Sequence, residues 1–432
     1  MIKDATVRQT SPFNQSVKLL TFNTWGLKYV SKHRKQRLEA IATRLGSASE
    51  EQYDIVALQE VWCEGDWETI EEECRELYPY RRFFKSGIVS GPGLALLSKI
   101  PIDETFLYRF PINGRPSAFH RGDWLVGKSI AVTILKPHVA NALPIAILNS
   151  HMHAPYAHSG DASYSCHRAC QAWDFSKLVK MLRRAGYAVI QVGDLNSKPE
   201  SLPYKLFTVE GGLVDSWDAC NEEKFTPNQI AQMQPQEQIE LAGTTCDSQL
   251  NTWRATRRRW EACRLDYALV DPNNIKSVNA SVKFTELMPA PYSCSYSDHF
   301  AYSAELLIKS KEEAVVPADN EDISTKLELY RELIAEIVEY RKHTIPFQAT
   351  WRKYHFFGSL ALVFILHIAV SFASIEHAWL SVIIMFLSTI IGITGVINGM
   401  MWLLGVRSEL RALQEVQMEV EDIYASHQSD RK

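Results

Sequence analysis

VIQVGDLN, residues 189–196, is the stretch that best indicates the fold, because a buried strand in it ends directly in polar side chains. Val189–Gly193 predicts the strand, and Gly193 allows the chain to turn there. Asp194 and Asn196 lie two positions apart and point the same way. Asp194 can accept a proton or hold a ligand, and Asn196 can donate to a phosphoryl oxygen. An Asx turn would also suit this sequence, so the motif is only moderately specific by itself.

Polar residues follow apolar, strand-like runs at several other places: Asn23, Glu60, His151, Asp266 and the Asp298-His299 step. We expect nearly all of them at the C-terminal end of a strand. Strand ends converge at one edge of a sheet, so residues hundreds of positions apart would line one cleft. Imidazoles, carboxylates and carboxamides together are the groups needed for metal-assisted hydrolysis of a phosphate ester.

The wider pattern predicts a layered α/β sandwich, because it contains many strands and few helices. The predicted strands are Val17–Phe22, Ile55–Gln59, Leu94–Ser98, Ser129–Leu135, Ile145–Ser150, Val189–Gly193, Asp266–Val270 and Ala301–Ile308. Helices with apolar positions three and four apart are predicted at Arg34–Leu45, Trp67–Leu77 and His167–Ala185. Asn221–Cys246, rich in Gln, Pro and Thr, is predicted to be a surface loop.

Glu60 closes the apolar run DIVALQE, where a buried carboxylate is costly unless it is paired or binds a cation. Mg²⁺ binds few protein carboxylates and completes its octahedron with water and phosphate oxygens. Glu60, with Asn23 and Asp298, therefore predicts a Mg²⁺ site. A helix-turn carboxylate or a salt bridge is the alternative.

His299 is the predicted general base. A carboxylate such as Asp266 on one imidazole nitrogen fixes the tautomer and leaves the other nitrogen free to take a proton from water. His151, in NSHMHAPY, supplies a second imidazole to protonate the leaving group or steady the phosphate charge. His153 shares the strand face of His151 and competes with it for this role.

GDWLVGKS, residues 122–129, matches the nucleotide-binding pattern GxxxxGK[ST] letter for letter. That loop needs small residues and a helix after it, whereas Trp124 and Leu125 fill this one and a strand-like run follows. We therefore expect no nucleotide-binding loop. A looser role, in which Lys128 reaches a substrate phosphate, stays open.

The composition is that of an ordinary globular protein of 432 residues with a net charge of −4, which argues against bulk nucleic-acid binding. The N-terminal stretch lacks the apolar core of a signal peptide. The eight cysteines show no zinc-type spacing and are predicted to be reduced thiols in the cytosol.

After Ile308 the chain changes to a charged linker and then to two apolar runs, Phe356–Ser374 and Trp379–Leu404. Each is about as long as the roughly 20 residues that cross a bilayer. Basic residues flank the pair, and the connecting loop has no Lys or Arg. This asymmetry predicts a transmembrane hairpin with both ends in the cytosol, the alternative being a buried core hairpin. Gly395 and Gly399 form a GxxxG that is either a packing face or chance.

Two amphipathic helices are predicted beside the hairpin, from the 3-4-3 spacing of apolar residues at Leu327–Ile337 and Leu413–Ile423. We expect them to pair as an antiparallel stalk, the alternative being that both lie flat on the membrane. The predicted domains are a polar segment at 1–16, a metal-dependent phosphodiesterase domain at 17–308, a charged linker at 309–322, an amphipathic helix at 323–343, a transmembrane helical hairpin at 355–404 and a cytosolic amphipathic helix and tail at 407–432.

Taken in order, the polar residues resemble the endonuclease/exonuclease/phosphatase superfamily: Asn23, Glu60, His151, Asp194 with Asn196, Asp266 and Asp298-His299. Within it the chain is similar to neutral sphingomyelinases, particularly the fungal inositol phosphosphingolipid phospholipases C, in NTWGLKYVSKHR, DIVALQEVW, GPGLALLSKIPI and NSHMHAPY. The resemblance implies a four-layered α/β sandwich of deoxyribonuclease type, followed by the transmembrane hairpin.

The resemblance also implies a Mg²⁺-dependent phospholipase C that cleaves inositol phosphosphingolipids or sphingomyelin to ceramide and a phosphorylated headgroup. It implies Glu60 as a metal ligand, His299 as proton acceptor and Asn196 in substrate recognition. Asp123 and Lys128 match a phosphate-loop-like segment of the fungal members, and so are implied to bind substrate.

Membrane lipids are the implied partners. The resemblance implies activation by anionic phospholipids, which the basic residues Arg341, Lys342, Arg352 and Lys353 would suit. The endoplasmic reticulum is the predicted membrane, with mitochondria or another internal membrane as alternatives, and the catalytic domain is predicted to face the cytosol.

Three rival functions share parts of this pattern. A nuclease would use the same catalytic set with a basic groove, for which RATRRRW (254–260) is the best sign. A basic patch beside a lipid headgroup site would explain that stretch equally well. A membrane-tethered phosphoinositide phosphatase would release free phosphate instead of ceramide. An inactive membrane scaffold is disfavoured because the polar set is intact.

Overall fold

The computed structural model describes residues 12–48, 52–137, 139–316 and 322–430, which fall into two compact units. The sheet unit comprises residues up to 110 together with 125–154 and 171–326, and the helical unit comprises 111–124, 155–170 and 327–432. Residues 1–11 of the predicted N-terminal segment and 317–321 of the predicted linker lie outside the described residues.

Twelve strands and eleven α-helices occur in the described residues. The strands are β1 (Phe13–Asn23), β2 (Ile55–Gln59), β3 (Tyr80–Phe83), β4 (Ala95–Ser98), β5 (Ile102–Arg109), β6 (Ser129–Leu135), β7 (Ile145–His151), β8 (Ala188–Asp194), β9 (Val214–Asp215), β10 (Asp266–Val270), β11 (Ile275–Lys283) and β12 (Ala301–Lys309). The helices are α1 (Arg34–Gly46), α2 (Glu64–Glu73), α3 (Asp123–Val126), α4 (Ser165–Arg184), α5 (Leu202–Lys205), α6 (Ser216–Cys220), α7 (Pro227–Gln232), α8 (Pro235–Glu240), α9 (Ile323–Glu376), α10 (Ala378–Met400) and α11 (Arg407–Asp430).

The sheet unit contains two six-stranded mixed sheets. Their strand orders are β11-β12-β1-β2-β4-β3 and β5-β6-β7-β8-β10-β9. The neighbours β1 and β2 run parallel, as do β7 and β8, and the other neighbouring pairs run antiparallel. Fully buried side chains of both sheets form one core, with Leu19 and Ile55 from the first sheet and Ile190 from the second. The two sheets therefore pack face to face.

Helices cover the outer faces of both sheets. Leu38 and Ile41 of α1 and Ile70 of α2 pack in a second core with residues of the first sheet. On the second sheet, the Tyr108 hydroxyl of β5 donates to Asp174 Oδ1 of α4 over 3.0 Å. The unit is thus a four-layered α/β sandwich, which confirms the predicted fold class.

The strands that sequence analysis missed are the four edge strands β3, β5, β9 and β11. Edge strands such as β5 and β11 are half-exposed, so they lack the continuous apolar runs that reveal the inner strands. The predicted surface loop at 221–246 is wrong in two stretches, because it contains α7 and α8. Both helices have a proline in the first turn and a capping box, which favour short helices.

In the helical unit, α9 is one continuous helix of 54 residues that includes Pro346, whereas sequence analysis left residues 344–354 outside any helix. Tertiary contacts hold the turns around the proline, where a backbone hydrogen bond is missing. The Thr344 hydroxyl donates to Asp161 Oδ1 over 2.5 Å, and Arg352 donates to the Ser117 carbonyl over 2.5 Å. A π turn, Met401–Val406, joins α10 to α11.

The two chain segments of the hairpin pack against each other. Arg331 Nε of α9 donates to the Tyr424 hydroxyl of α11 over 2.8 Å, and Arg341, further along α9, donates to Gln417, which lies earlier in α11. The two helices therefore pair antiparallel, as predicted. A Cβ at Gly395 would lie 2.4 Å from Ser359 Cβ, and one at Gly399 would lie 2.6 Å from the Phe356 ring. The GxxxG therefore is a close packing face. The helices Ile323–Ile375 and Ala378–Ser429 are long and apolar enough to cross a membrane.

Candidate active site

Asp194, the last residue of β8, lies at the centre of a polar cluster in the sheet unit. It pairs in register with His151 of β7 and with Asp266 of β10. Asn23, which ends β1 in the other sheet, donates from Nδ2 to Asp194 Oδ2 over 2.9 Å and to Glu60 Oε1 over 3.0 Å. One asparagine side chain thus joins the polar edges of both sheets.

The strand directions correct one expectation. Asp266 begins β10, and His299 precedes β12, so neither stands at the C-terminal end of a strand. Because β10 runs antiparallel to β8, and β12 to β1, the starts of these strands lie at the same edges as the ends of their neighbours. The predicted residues therefore do meet at one place, but they meet because strand starts lie beside strand ends in antiparallel pairs, and not because every strand ends there.

His299 has the contacts of a general base. Its Nδ1 lies 2.8 Å from Asp266 Oδ2, and its Nε2 lies 3.8 Å from Asp194 Oδ2 and 3.5 Å from Cys246 Sγ. Burial lowers the pKa of His299, but Cys246, Asp266 and Asp194 together outweigh burial and raise the pKa well above its usual value. Asp266 therefore orients the ring and stabilises its protonated form.

His151 also contacts the cluster. Its Nε2 lies 3.5 Å from Asp194 Oδ2 and 3.9 Å from Glu60 Oε1. Burial, followed by the charge of Lys128, lowers the pKa of His151 well below its usual value. A neutral ring suits hydrogen bonding to phosphate better than protonation of a leaving group. His153 is fully buried, and its Nδ1 lies 2.8 Å from the Ala154 carbonyl oxygen, so it serves the local structure.

Unusual backbone conformations position the carboxylate and amide side chains. Glu60, directly after β2, and Asn196 both have positive φ, 59° and 46°. Such conformations are costly for non-glycine residues and persist where the surroundings enforce them. A Cβ at Gly26 would lie 2.2 Å from the Glu60 carbonyl oxygen, and one at Gly193 would lie 1.9 Å from the Ser150 carbonyl oxygen. Glycine is required at both positions for these close backbone approaches.

The surroundings of Glu60 fit a cation. Burial, followed by the charge of Asp298, raises the pKa of Glu60, because two carboxylates face each other in a desolvated place. A divalent ion relieves such repulsion. Asn23 presents its amide nitrogen, while its Oδ1 accepts a hydrogen bond from the Trp25 amide over 3.0 Å. In this conformation the side-chain nitrogen of Asn23 donates a hydrogen bond to Glu60 and orients that carboxylate. Asn23 therefore acts here as a donor to the predicted ligand Glu60, whereas it was itself predicted to be a ligand.

A second group of possible ligands overlaps the base. Ligand atoms of Asp194, Asp266 and His299 all lie within 4.8 Å of one another. One member is an imidazole, which suits Mg²⁺ less well than oxygen ligands do. The pair of Glu60 and Asp298 is therefore the better match to a magnesium site.

Two of the three predicted substrate-binding residues, Asn196 and Lys128, belong to the sheet unit, and the third, Asp123, does not. The Asn196 amide donates to Asp194 Oδ1 over 3.0 Å, and its Nδ2 donates to the Met152 carbonyl over 3.0 Å. Lys128 is buried with its Nζ 3.1 Å from the same carbonyl, and β6 follows it, as a strand was predicted to. Asp123 belongs to the helical unit, where its Oδ2 accepts a hydrogen bond of 2.6 Å from the Tyr156 hydroxyl.

Two arginines of the site escaped sequence analysis. Buried Arg37 donates to the carbonyl oxygens of Trp25 and Tyr296, each over 2.8 Å, and so ties the segment after Asn23 to the segment before Asp298. Nothing in its amphipathic helix marks that role. Arg254 donates to Asp298 Oδ2 over 2.5 Å. It opens the RATRRRW stretch, whose charge predicted a nucleic-acid groove or a lipid-headgroup patch but no contact with Asp298.

Comparisons with known proteins agree with this geometry. Residues 20–299 match the Endonuclease/Exonuclease/phosphatase family. The chain is 50% identical, over 94% of its length and 90% of the relative's, to an inositol phosphosphingolipids phospholipase C of Saccharomyces cerevisiae. It is 37% identical, over 94% of both chains, to a protein of the same name from Schizosaccharomyces pombe.

A crystal structure of beta toxin from Staphylococcus aureus shares the fold, with a TM-score of 0.52 and 18% identity over 67% of this chain and 99% of that one. At this level of identity the likeness concerns the fold alone. Three findings lead to one conclusion: the match over residues 20–299, the two fungal relatives and the polar cluster at the sheet edges. The chain belongs to the endonuclease/exonuclease/phosphatase family.

Proposed function

We propose that this protein is a metal-dependent phosphoric diester hydrolase that cleaves sphingolipid phosphodiesters to ceramide and a phosphorylated headgroup, as a phospholipase C does. The observation that carries the proposal is the cluster in which Asn23 links Glu60 to Asp194, and Asp194 lies beside the pair of His299 and Asp266. The two fungal relatives, whose names state this substrate class, support the choice of lipid.

The proposed reaction uses water as the nucleophile. His299 Nε2 takes a proton from water, whose oxygen attacks phosphorus, and the bond from phosphorus to the ceramide oxygen breaks. The Asp266 carboxylate stabilises the imidazolium that forms. Burial raises the pKa of Asp194 to about 7, so Asp194 can return a proton to the leaving oxygen near neutral pH. Asn196 and neutral His151 supply N–H groups for the phosphate oxygens.

We propose Mg²⁺ as the metal, held by Glu60 and Asp298. The bound ion would neutralise negative charge on the phosphate oxygens. Three neighbours prepare the site: Asn23 and Trp62 donate to the two Glu60 oxygens over 3.0 and 3.3 Å, and Arg254 holds Asp298. These contacts fix both carboxylates in place.

We also propose that α9 and α10 cross an internal membrane, that of the endoplasmic reticulum, with the sheet unit in the cytosol. The most apolar windows of the two helices are 6% and 11% buried, so their side chains face outward. Basic residues lie at one end of the pair only, at Arg352, Lys353, Arg407 and Arg411. A glycosylation site placed in the loop at Glu376–His377 should be modified in microsomes, whereas one placed at the C-terminus should not.

Anionic phospholipids are the proposed activators. A cavity of about 380 Å³ within the helical unit is lined by Arg115, Arg121, Ser117 and Arg352 among others. Arg115 Nε, Arg352 Nε and Ser117 Oγ are buried there without a hydrogen-bond partner among the described residues. Asp161, 3.4 Å from Arg115, offsets only part of the positive charge. Stimulation by phosphatidylserine vesicles should therefore fall in Arg115→Gln and persist in Arg82→Gln, a surface change on β3.

Product analysis tests the proposed activity. Full-length protein should convert labelled inositol phosphosphingolipid or sphingomyelin to ceramide and the phosphorylated headgroup, with Mg²⁺ and not without it. Lysophospholipid in the same assay measures how far the headgroup site discriminates. Release of free inorganic phosphate from a phosphoinositide, with no ceramide from either sphingolipid, would overturn the proposal in favour of a phosphatase.

A further inference from the structure

Cys246 lies between the proposed base and a second cysteine. It forms antiparallel bridges with both His299 and Cys263. Its Sγ is 3.5 Å from His299 Nε2, the nitrogen assigned to the attacking water, and its backbone is bridged to that of Cys263. Neither thiol has a part in the proposed hydrolysis. A pair of thiols thus adjoins the reacting nitrogen.

The backbone geometry of this pair suits a disulfide. The Cys246 amide donates to the Cys263 carbonyl over 2.9 Å, and the Cys263 amide donates back over 3.1 Å. Opposed residues that exchange both bonds have Cα atoms about 5.5 Å apart. Disulfides span Cα separations of roughly 4.4–6.8 Å, so the separation expected for this pair lies within the range that a disulfide bridges.

We propose that Cys246 and Cys263 are a peroxide-sensitive dithiol whose disulfide reversibly inhibits the enzyme; the inhibition rests on the proposed function, and the disulfide does not. Cys263 is half-buried and Cys246 is 5% exposed, so peroxide reaches Cys263 first. Its sulfur attacks the O–O bond, giving a sulfenic acid and one water. Cys246 Sγ then displaces the hydroxyl, which leaves with the thiol proton as a second water. Two thiols lose two electrons and two protons, and one peroxide becomes two waters.

The disulfide would act on the base through its neighbours. It turns Cys246 Sγ away from His299 Nε2 and toward Cys263. The segments that it joins also hold Asp266, because Thr245 Oγ1 accepts hydrogen bonds from the amides of Leu265 and Asp266 over 3.1 and 3.3 Å. A positioned general base contributes on the order of 10²–10⁴ in rate, so we expect the oxidised enzyme to be about 10-fold or more slower.

Mass spectrometry tests the modification without relying on activity. Trypsin places Cys263 in the peptide WEACR, residues 260–264, and Cys246 in the peptide 225–254. Full-length protein in detergent is treated with hydrogen peroxide, alkylated and digested without reductant. The two peptides should appear linked, and dithiothreitol should separate them. Inhibited protein in which this linked pair is absent would overturn the proposal.

Two matched variants connect the disulfide to inhibition. Cys263→Ser should keep its activity within about twofold of the parent and resist peroxide, because the sulfur that is oxidised first is gone. Cys220→Ser, which removes another half-buried cysteine, should remain as sensitive as the parent. Equal inhibition of Cys263→Ser, or a linked pair in fully active protein, would contradict the regulatory role. Failure of the proposed hydrolysis would leave the peptide result unchanged, so the two failures are distinguishable.

Discussion

The sheet unit and the helical unit contain similar apolar residues but place them in opposite surroundings. In the sheet unit, Ile147 and Ile190 are fully buried between the two sheets. In the helical unit, Phe364 is 68% exposed and Ile375 is 81% exposed. Removing apolar surface from water is favourable, so the apolar side chains of the first unit are already stabilised by burial, whereas those of the second suit an apolar solvent. A bilayer supplies that solvent for helices whose backbone groups are already paired.

The two units differ in their polar residues as well. At the sheet edges, polar side chains are buried, hydrogen-bonded and aimed at one cluster around Asp194. In the helical unit they fix the pairing of long helices, as Arg331 does with Tyr424. Changes in the first set should therefore alter chemistry, whereas changes in the second should alter anchoring. Four predictions test this division, from the largest expected effect to the smallest.

His299→Ala should reduce turnover by on the order of 10²–10⁴ in protein that remains folded and membrane-bound, since that is the usual contribution of a positioned base. The comparison variant is His343→Ala, which changes an exposed histidine of α9 paired with Glu339. Ceramide release by both proteins is measured in the same vesicles. Turnover of His299→Ala close to that of His343→Ala would rule out the assignment of the base.

Glu60→Ala should abolish stimulation by Mg²⁺, and Glu60→Gln should do nearly as much harm, because the cation needs the charge. Glu64→Gln, at an exposed position on α2, is the control. Activity is titrated with Mg²⁺ and metal content is measured in each protein. An unchanged dose–response in either Glu60 variant would falsify the assigned ligand.

Asp266→Asn should shift the acidic limb of the pH profile to lower pH. The Asp266 carboxylate stabilises protonated His299 and so raises its pKa. Removing that charge lowers the pKa, and the ring then stays neutral, as a base must, at lower pH. The limb is read from kcat/KM against pH, which reports the free enzyme. Asp103→Asn on β5 should leave the limb in place, and a limb that moves upward in Asp266→Asn would contradict the orienting role.

Cysteines at Arg331 and Tyr424 should be joined within one chain by a short crosslinker, with activity changed by less than about twofold. Arg331 of α9 and Tyr424 of α11 are hydrogen-bonded to each other, and both are distant in sequence from the polar residues at the sheet edges. Arg331→Cys combined with Met418→Cys, an exposed position, should not react. Absence of the first crosslink in active, membrane-bound protein would favour helices that lie flat on the bilayer.

The sequence carries strong local signals for the inner strands and for the polar residues that the structure brings together around Asp194. β2, β6 and β10 were predicted to the residue, since each is a mostly apolar run and is buried throughout. Glu60 and Asp194 were recognisable because a buried carboxylate at the end of an apolar run is costly unless it is paired or binds a cation.

Other features depended on contacts that the sequence does not display. Arg37 reads as an ordinary helix residue until its buried hydrogen bonds to Trp25 and Tyr296 are seen. The unbroken α9 depends on tertiary contacts of Thr344 and Arg352 that outweigh the proline. The pair of Cys246 and His299 is separated by 53 positions and has no local pattern.

The most direct test of the proposed hydrolysis follows the oxygen atom of the attacking water into the products. Full-length protein with Mg²⁺ is incubated with a sphingolipid phosphodiester in ¹⁸O-labelled water, and the masses of both products are measured by mass spectrometry. In the proposed reaction His299 directs water to phosphorus, so the heavy oxygen should appear in the phosphorylated headgroup and the ceramide should remain unlabelled. Label in the ceramide hydroxyl, or release of unesterified phosphate, would contradict the proposed cleavage.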